Sequence, residues 1–118
     1  MPISNQYNLG GSGAVGGTSG GKTTAINNVS TVNAQVIGPN PSRVQITFHN
    51  PGLVDILVAM VRDASNAVLA PTFASRGGAF LVYANGGEKT FSGECQFAWN
   101  AVAASGAANP LTIVESNV

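Results

Sequence analysis

Residues 43–61, RVQITFHNPGLVDILVAMV, decide how the rest of the chain is read. Val44, Ile46 and Phe48 alternate with Arg43, Gln45, Thr47 and His49, the two-residue period of a half-buried strand. Asn50-Pro51-Gly52 then has the residues of a type II turn: Asn at the first corner, a fixed φ at Pro, and Gly for the positive φ. In the second half Val54, Ile56, Val58 and Met60 alternate with Asp55, Leu57, Ala59 and Val61, so both sides are nearly equally apolar. Such a strand is either central between two covered faces or lies against another subunit. The stretch therefore predicts a β-hairpin at the heart of an all-β domain.

Working outward, the same rhythm recurs. Val32, Ala34 and Val36 alternate with Thr31, Asn33 and Gln35 before Gly38-Pro39-Asn40-Pro41 breaks the run. After a turn at residues 62–66, residues 68–73 read as a short edge strand interrupted by Pro71. Arg76-Gly77-Gly78 turns again, and residues 79–83 form a strand. Asn85-Gly86-Gly87 is a hairpin signal, with residues 88–91 as the partner strand. Cys95, Phe97, Trp99 and Ala101 form the inward side of the next strand, and Leu111 and Ile113 that of the last. About seven or eight short strands with regularly spaced turns predict a jelly-roll-like antiparallel β-sandwich over residues 29–118. The alanine-rich residues 98–108 are the nearest thing to a helix, but the alternation through Trp99 favours strand.

Residues 1–28 differ in composition. GGSGAVGGTSGG, residues 10–21, contains seven glycines and no large apolar side chain. Such a tract cannot recover the entropy cost of ordering itself, and behaves as a tether with a reach of about 20 Å. Ile3, Tyr7 and Leu9 ahead of it are candidate anchors at the tip of a flexible, glycine-rich N-terminal arm suited to ordering against a partner; a disordered tail is the alternative.

Charge is scarce. Five bases and five acids make up 8% of the 118 residues, against about 25% in ordinary soluble domains, and the net charge is zero. Bulk attraction to nucleic acid or to an anionic membrane is therefore not expected. No apolar run reaches the roughly 20 residues that a membrane-spanning helix needs, and the N-terminal residues lack the pattern of a signal peptide. A neutral surface with little lysine to guard its strand edges does little to discourage self-association, so these surfaces are read as covered by other protein. Leu57 and Val61, on the second face of their strand, are the candidate contacts within the sandwich. An adequately soluble monomer is the alternative.

No constellation carries chemistry. Gly16-Gly17-Thr18-Ser19-Gly20-Gly21-Lys22-Thr23 matches the P-loop pattern at every fixed position. A P-loop needs a buried strand before it and a helix after it, and AINNVSTV is a poor helix former. In a glycine-rich tract the match is read as fortuitous. With one histidine, His49, and one cysteine, Cys95, the spacing of a metal site is missing, and an intrachain disulfide is impossible. A Cys95–His49 thiol pair is conceivable, yet Cys95 keeps register with Phe97 and Trp99 and reads as a core residue. No cofactor, metal or catalytic residue is assigned, and the chain is not expected to be an enzyme.

Four blocks carry a resemblance. They are Arg43, Ile46, Phe48 and Asn50-Pro51-Gly52; Gly77, Gly78 and Phe80; Phe91, Gly93 to Gln96, Ala98, Trp99 and Ala101; and Asn109 to Ile113 with Glu115. Together they resemble a family of small virion proteins of tailed bacteriophages, over most of residues 41–118 and not over the arm. The resemblance implies a capsid-associated β-sandwich that decorates or cements the head shell, with the major capsid protein and copies of itself (a dimer or trimer) as partners. It implies location on the virion after synthesis in the host bacterial cytoplasm. Similar sandwiches occur in head fibres and tail parts, so a module that binds a host surface glycan is the alternative.

Overall fold

The computed structural model describes residues 20–61 and 79–118. These form eight strands and no helix: β1 (Gly20–Val29), β2 (Ala34–Ile37), β3 (Arg43–Asn50), β4 (Ile56–Val61), β5 (Phe80–Val82), β6 (Gly87–Ser92), β7 (Ala98–Ala103) and β8 (Asn109–Asn117). They make two four-stranded sheets ordered β1-β8-β3-β6 and β2-β7-β4-β5, with every pairing antiparallel. That interleaved order is a jelly roll, the expected architecture. The expected turn and edge strand within residues 62–78 lie outside the described residues.

The core fills the space between the sheets. Ile46, Phe48, Ile56, Val58, Val82, Cys95, Trp99, Leu111 and Ile113 belong to one buried cluster. Phe48 and Phe91 both lie against Trp99, with ring centroids 4.9 and 4.8 Å away. Phe80, itself partly exposed, continues the contact outward from β5 to β6, 4.8 Å from Phe91. The alternation read in β8 and in the Trp99–Ala101 part of β7 is therefore the alternation that packs. Residues 98–103 are strand, as their rhythm required.

The expected hairpins are not hairpins. β3 and β4 lie in different sheets, and so do β5 and β6. Residues 51–55 carry the chain across the sandwich from β3 to β4, and β6 pairs with β3 rather than with β5. A turn signal marks where a strand stops; in a two-layer fold it does not say which layer receives the next strand. Gly52 also departs from the type II expectation, since it is not among the glycines with positive φ. Its constraint is space: a Cβ there would lie 2.9 Å from Cδ of Pro110. Asn85 and Gly86, by contrast, do take positive φ, 63° and 99°, as their turn required.

Three further expectations change. Residues 20–28, assigned to the arm, belong instead to strand β1, which pairs along β8. Arg43 points inward, not outward. The register of β3 against β8 slips by one residue between Arg43 and Gln45, a bulge that leaves Val44 exposed and turns Arg43 toward the core, 1% exposed. Phe97, read as inward with Trp99, lies just before β7 and is exposed.

Candidate functional site

Two features of the described residues could serve a function: a polar clamp at one end of the sandwich, and the outer surface of the β1-β8-β3-β6 sheet with its free edge.

The clamp is built on Arg43. Its Nε donates to Oε1 of Glu115 at 2.9 Å, Nη1 to the carbonyls of Cys95 and Phe97 at 2.9 and 3.0 Å, and Nη2 to the carbonyl of Gly38 at 2.9 Å. One planar guanidinium thus ties β3 to β8, to the β2–β3 link and to the segment before β7. Arginine suits this task because its donors are fixed in a fork and its charge does not titrate away. Asn40 joins from the β2–β3 link, donating to Oε1 of Glu115 at 3.1 Å and to Oδ1 of Asn117 at 2.7 Å. Burial pushes the Glu115 carboxyl up, but the hydrogen bonds from Asn40 and Arg43, the Arg43 charge and Lys22 outweigh it and hold the group below its usual range. Beside the clamp is an open cavity of about 270 Å³, lined by Lys22, Ile37, Gly38, Pro39, Asn40, Arg43 and Glu115.

The far end is pinned by neutral amides. Asn50, fully buried, donates to the carbonyls of Val54 and Val82 at 2.7 and 3.1 Å and accepts from the Gly52 amide at 3.0 Å. Asn109 donates to the carbonyls of Val29 and Ser105 at 2.9 and 2.7 Å. The Asp55 carboxylate accepts from the Ala84 amide at 2.8 Å. Each group holds a crossing between the sheets, where no ladder satisfies the backbone. These are fold-holding roles.

The outer face of the β1-β8-β3-β6 sheet is plain. Reading across the registers, one row is Thr23, Val114, Thr47 and Thr90, and a parallel row is Gly21, Ser116, Gln45 and Ser92. The hydroxyls of Thr47 and Thr90 bond across strands at 2.8 Å. Charge enters only in the next row, where Nδ1 of His49 approaches Oε2 of Glu88 at 3.1 Å, without the alignment of a hydrogen bond.

The residues singled out from the sequence are not brought together. Ile3, Tyr7 and Leu9 lie outside the described residues. Leu57 is completely buried, because both faces of β4 are covered, so it offers nothing to a partner. Val61 is half-buried at the end of β4, opposite Ala98. Lys22 and Thr23 of the P-loop-like match lie on β1, with no helix following. Cys95 is in the core, where burial raises its thiol pKa against the pull of Arg43; His49 faces outward on β3, so the two do not meet. Among the described residues no three of His, Cys, Asp and Glu gather as a metal site would require. Sequence reading missed the inward Arg43 and the strand β1. The pairing of a lone buried-strand Arg with the final Glu was visible only as two separate motif positions.

No protein-family model matches the chain, and no curated protein matches it. Among solved structures, a chain of Bacillus endospore appendages, described as "a novel family of disulfide-linked pili", is 13% identical, covers 95% of this chain and 100% of its own length, and superposes with a TM-score of 0.46. A likeness this distant fixes neither a family nor a function.

Proposed function

We propose that the chain is a structural virion protein of a tailed bacteriophage, whose jelly roll binds the major capsid protein shell and decorates or cements it. The observation that carries this reading is the outer face of the β1-β8-β3-β6 sheet, where rows of threonine, serine, glycine and valine present almost no charge to be desolvated. Covering such a face with protein costs little, since its hydroxyls can bond laterally, as Thr47 and Thr90 do. The buried polar groups are used to hold the fold: Arg43, Glu115, Asn50 and Asn109 each have their partners within the chain.

The glycan-binding alternative asks for an exposed aromatic platform. Phe80, Tyr83 and Phe97 are exposed, with Phe80 also lying against Phe91; these rings are the observation that keeps glycan binding as the second reading.

The test is electron microscopy of virions from cells that make the chain. The proposal expects jelly-roll density at repeated positions on the head shell. Density confined to fibres or tail would overturn it in favour of the alternative.

A further inference from the structure

A jelly roll built as two separate sheets has four edge strands, which among the described residues are β1 and β6 in one sheet and β2 and β5 in the other. An edge strand offers unpaired amides and carbonyls to any passing chain, and native folds guard against this by shortness, bulges, charge or proline. Three of the four edges carry such guards. β5 has three residues; β2 has four, with an irregular register beside Gln35; and β6 has adjacent charges, Glu88 and Lys89. β1 is different. It runs for ten residues, Gly20–Val29, contains no proline and only one charge, Lys22, and Gly20 to Thr23 and Ala25 are exposed; its one register irregularity lies near its end, between Ile26 and Val29, and leaves Gly20 to Ile26 regularly paired.

The groove beside this edge is the second observation. Lys22, Thr24 and Ile26 lie opposite Glu115, Ile113 and Leu111, all buried, so their side chains point toward the opposing sheet. The cavity of about 270 Å³ opens along the same border, between Lys22 of β1 and Ile37 to Asn40 at the end of β2. A strand added to β1 would send its own inward side chains over that cavity.

We propose that β1 is the dimerisation edge of this protein: β1 of a second copy pairs with it antiparallel about a two-fold axis at Thr24. The two β1-β8-β3-β6 sheets join into one continuous eight-stranded sheet. In this register Thr24 faces Thr24 of the other copy, and Lys22 faces Ile26. That avoids opposing the two lysines and directs an apolar side chain toward the aliphatic wall of the cavity at Ile37 and Pro39. The interface is isologous, so it closes at two copies and exposes no new edge for further growth. Main-chain hydrogen bonds along the strand provide the attraction, as in other cases of strand addition. This rests on the self-association expected from the sequence and is independent of where the dimer binds.

The full chain is measured by light scattering during size-exclusion chromatography. Twice the mass of the 11.9 kDa chain is expected. Thr24→Lys sets two like charges opposite each other, and should weaken the dimer by about tenfold or more while melting as a folded protein. Because that variant could lose the strand itself, Thr24→Cys provides a second readout. Under mild oxidation it should form a covalent dimer much faster than Val44→Cys, an exposed control on β3. Cys95 is buried and does not compete. A monomer at every concentration, a trimer, or a dimer in which Thr24→Cys cross-links no faster than Val44→Cys would each overturn the proposal. All of these are read on the isolated protein, so failure here is distinct from failure to bind a head shell.

Discussion

Nε of Arg43 lies 2.9 Å from Oε1 of Glu115 between the two sheets, with the side chains only 1% and 4% exposed. A buried ion pair is weak as a source of net stability but expensive to break, since one charge is left stranded. Here the guanidinium also satisfies the carbonyls of Gly38, Cys95 and Phe97. Arg43→Met should therefore cost about 3–5 kcal/mol, measured by denaturant unfolding. Adding Glu115→Leu should return only part of the loss, because the three carbonyls stay unsatisfied. Full recovery in the double variant would mean that the carbonyl contacts contribute little.

The same carboxylate sets a pH dependence. Its folded pKa is held below the ordinary value, so the folded state favours the ionised form. Stability from this group is present above the unfolded carboxylate range, near about pH 4.3, and is lost as the pH falls through the depressed folded value. Melting temperatures between neutral and acid pH should fall for the native chain below that range. In Glu115→Gln the neutral-pH melting point should be lower and the acid slope shallower. Equal slopes in the two proteins would show that other groups govern the acid response.

Much of the architecture was legible because its signal is local. Trp99, Ala101, Leu111 and Ile113 alternate as they pack, and Asn85-Gly86 takes the positive φ its residue types suit. What escaped was set at a distance. A one-residue bulge at Val44 reverses the side to which Arg43 points, and nothing in RVQITF announces it. Gly20 to Ala25 look like tether because they bring few apolar groups; β8 makes them a strand by supplying the ladder. Leu57 was read as a contact surface because an apolar outer face can be covered by another subunit or from within the chain, and the sequence does not distinguish these. The motif residues behind the family resemblance mostly fall on fold-holding positions, among them Arg43, Asn50, Trp99, Asn109 and Glu115. Such a pattern describes the sandwich better than it describes any binding surface.

Gly87 and Gly52 differ in how firmly their neighbours are fixed. A Cβ on Gly87 would lie 2.8 Å from the backbone nitrogen of Tyr83 and closer still to its carbonyl oxygen; one on Gly52 would first meet side chains, the ring of Pro110 and the Asn50 amide. Gly87→Ala should destabilise by about 3 kcal/mol, and Gly52→Ala by about 1 kcal/mol. Thermal unfolding of the two variants side by side checks the order, and the reverse order would contradict it.

Asn50 satisfies three backbone groups from a fully buried position. Asn50→Ala leaves the Val82 carbonyl without this donor and frees the corner after β3. A loss of about 2 kcal/mol or more is expected. Hydrogen exchange should rise first at Gly52, Asn85 and Gly86, whose amides are held at this corner. Uniform exchange across the sandwich would mean that the corner has no separate stability.

The most direct measurement of the central claim is co-sedimentation of the purified chain with assembled, undecorated head shells. The account predicts saturable binding at a fixed ratio to the major capsid protein, weakened when residues 1–19 are deleted. An intact, folded chain that stays in the supernatant at every ratio would contradict it.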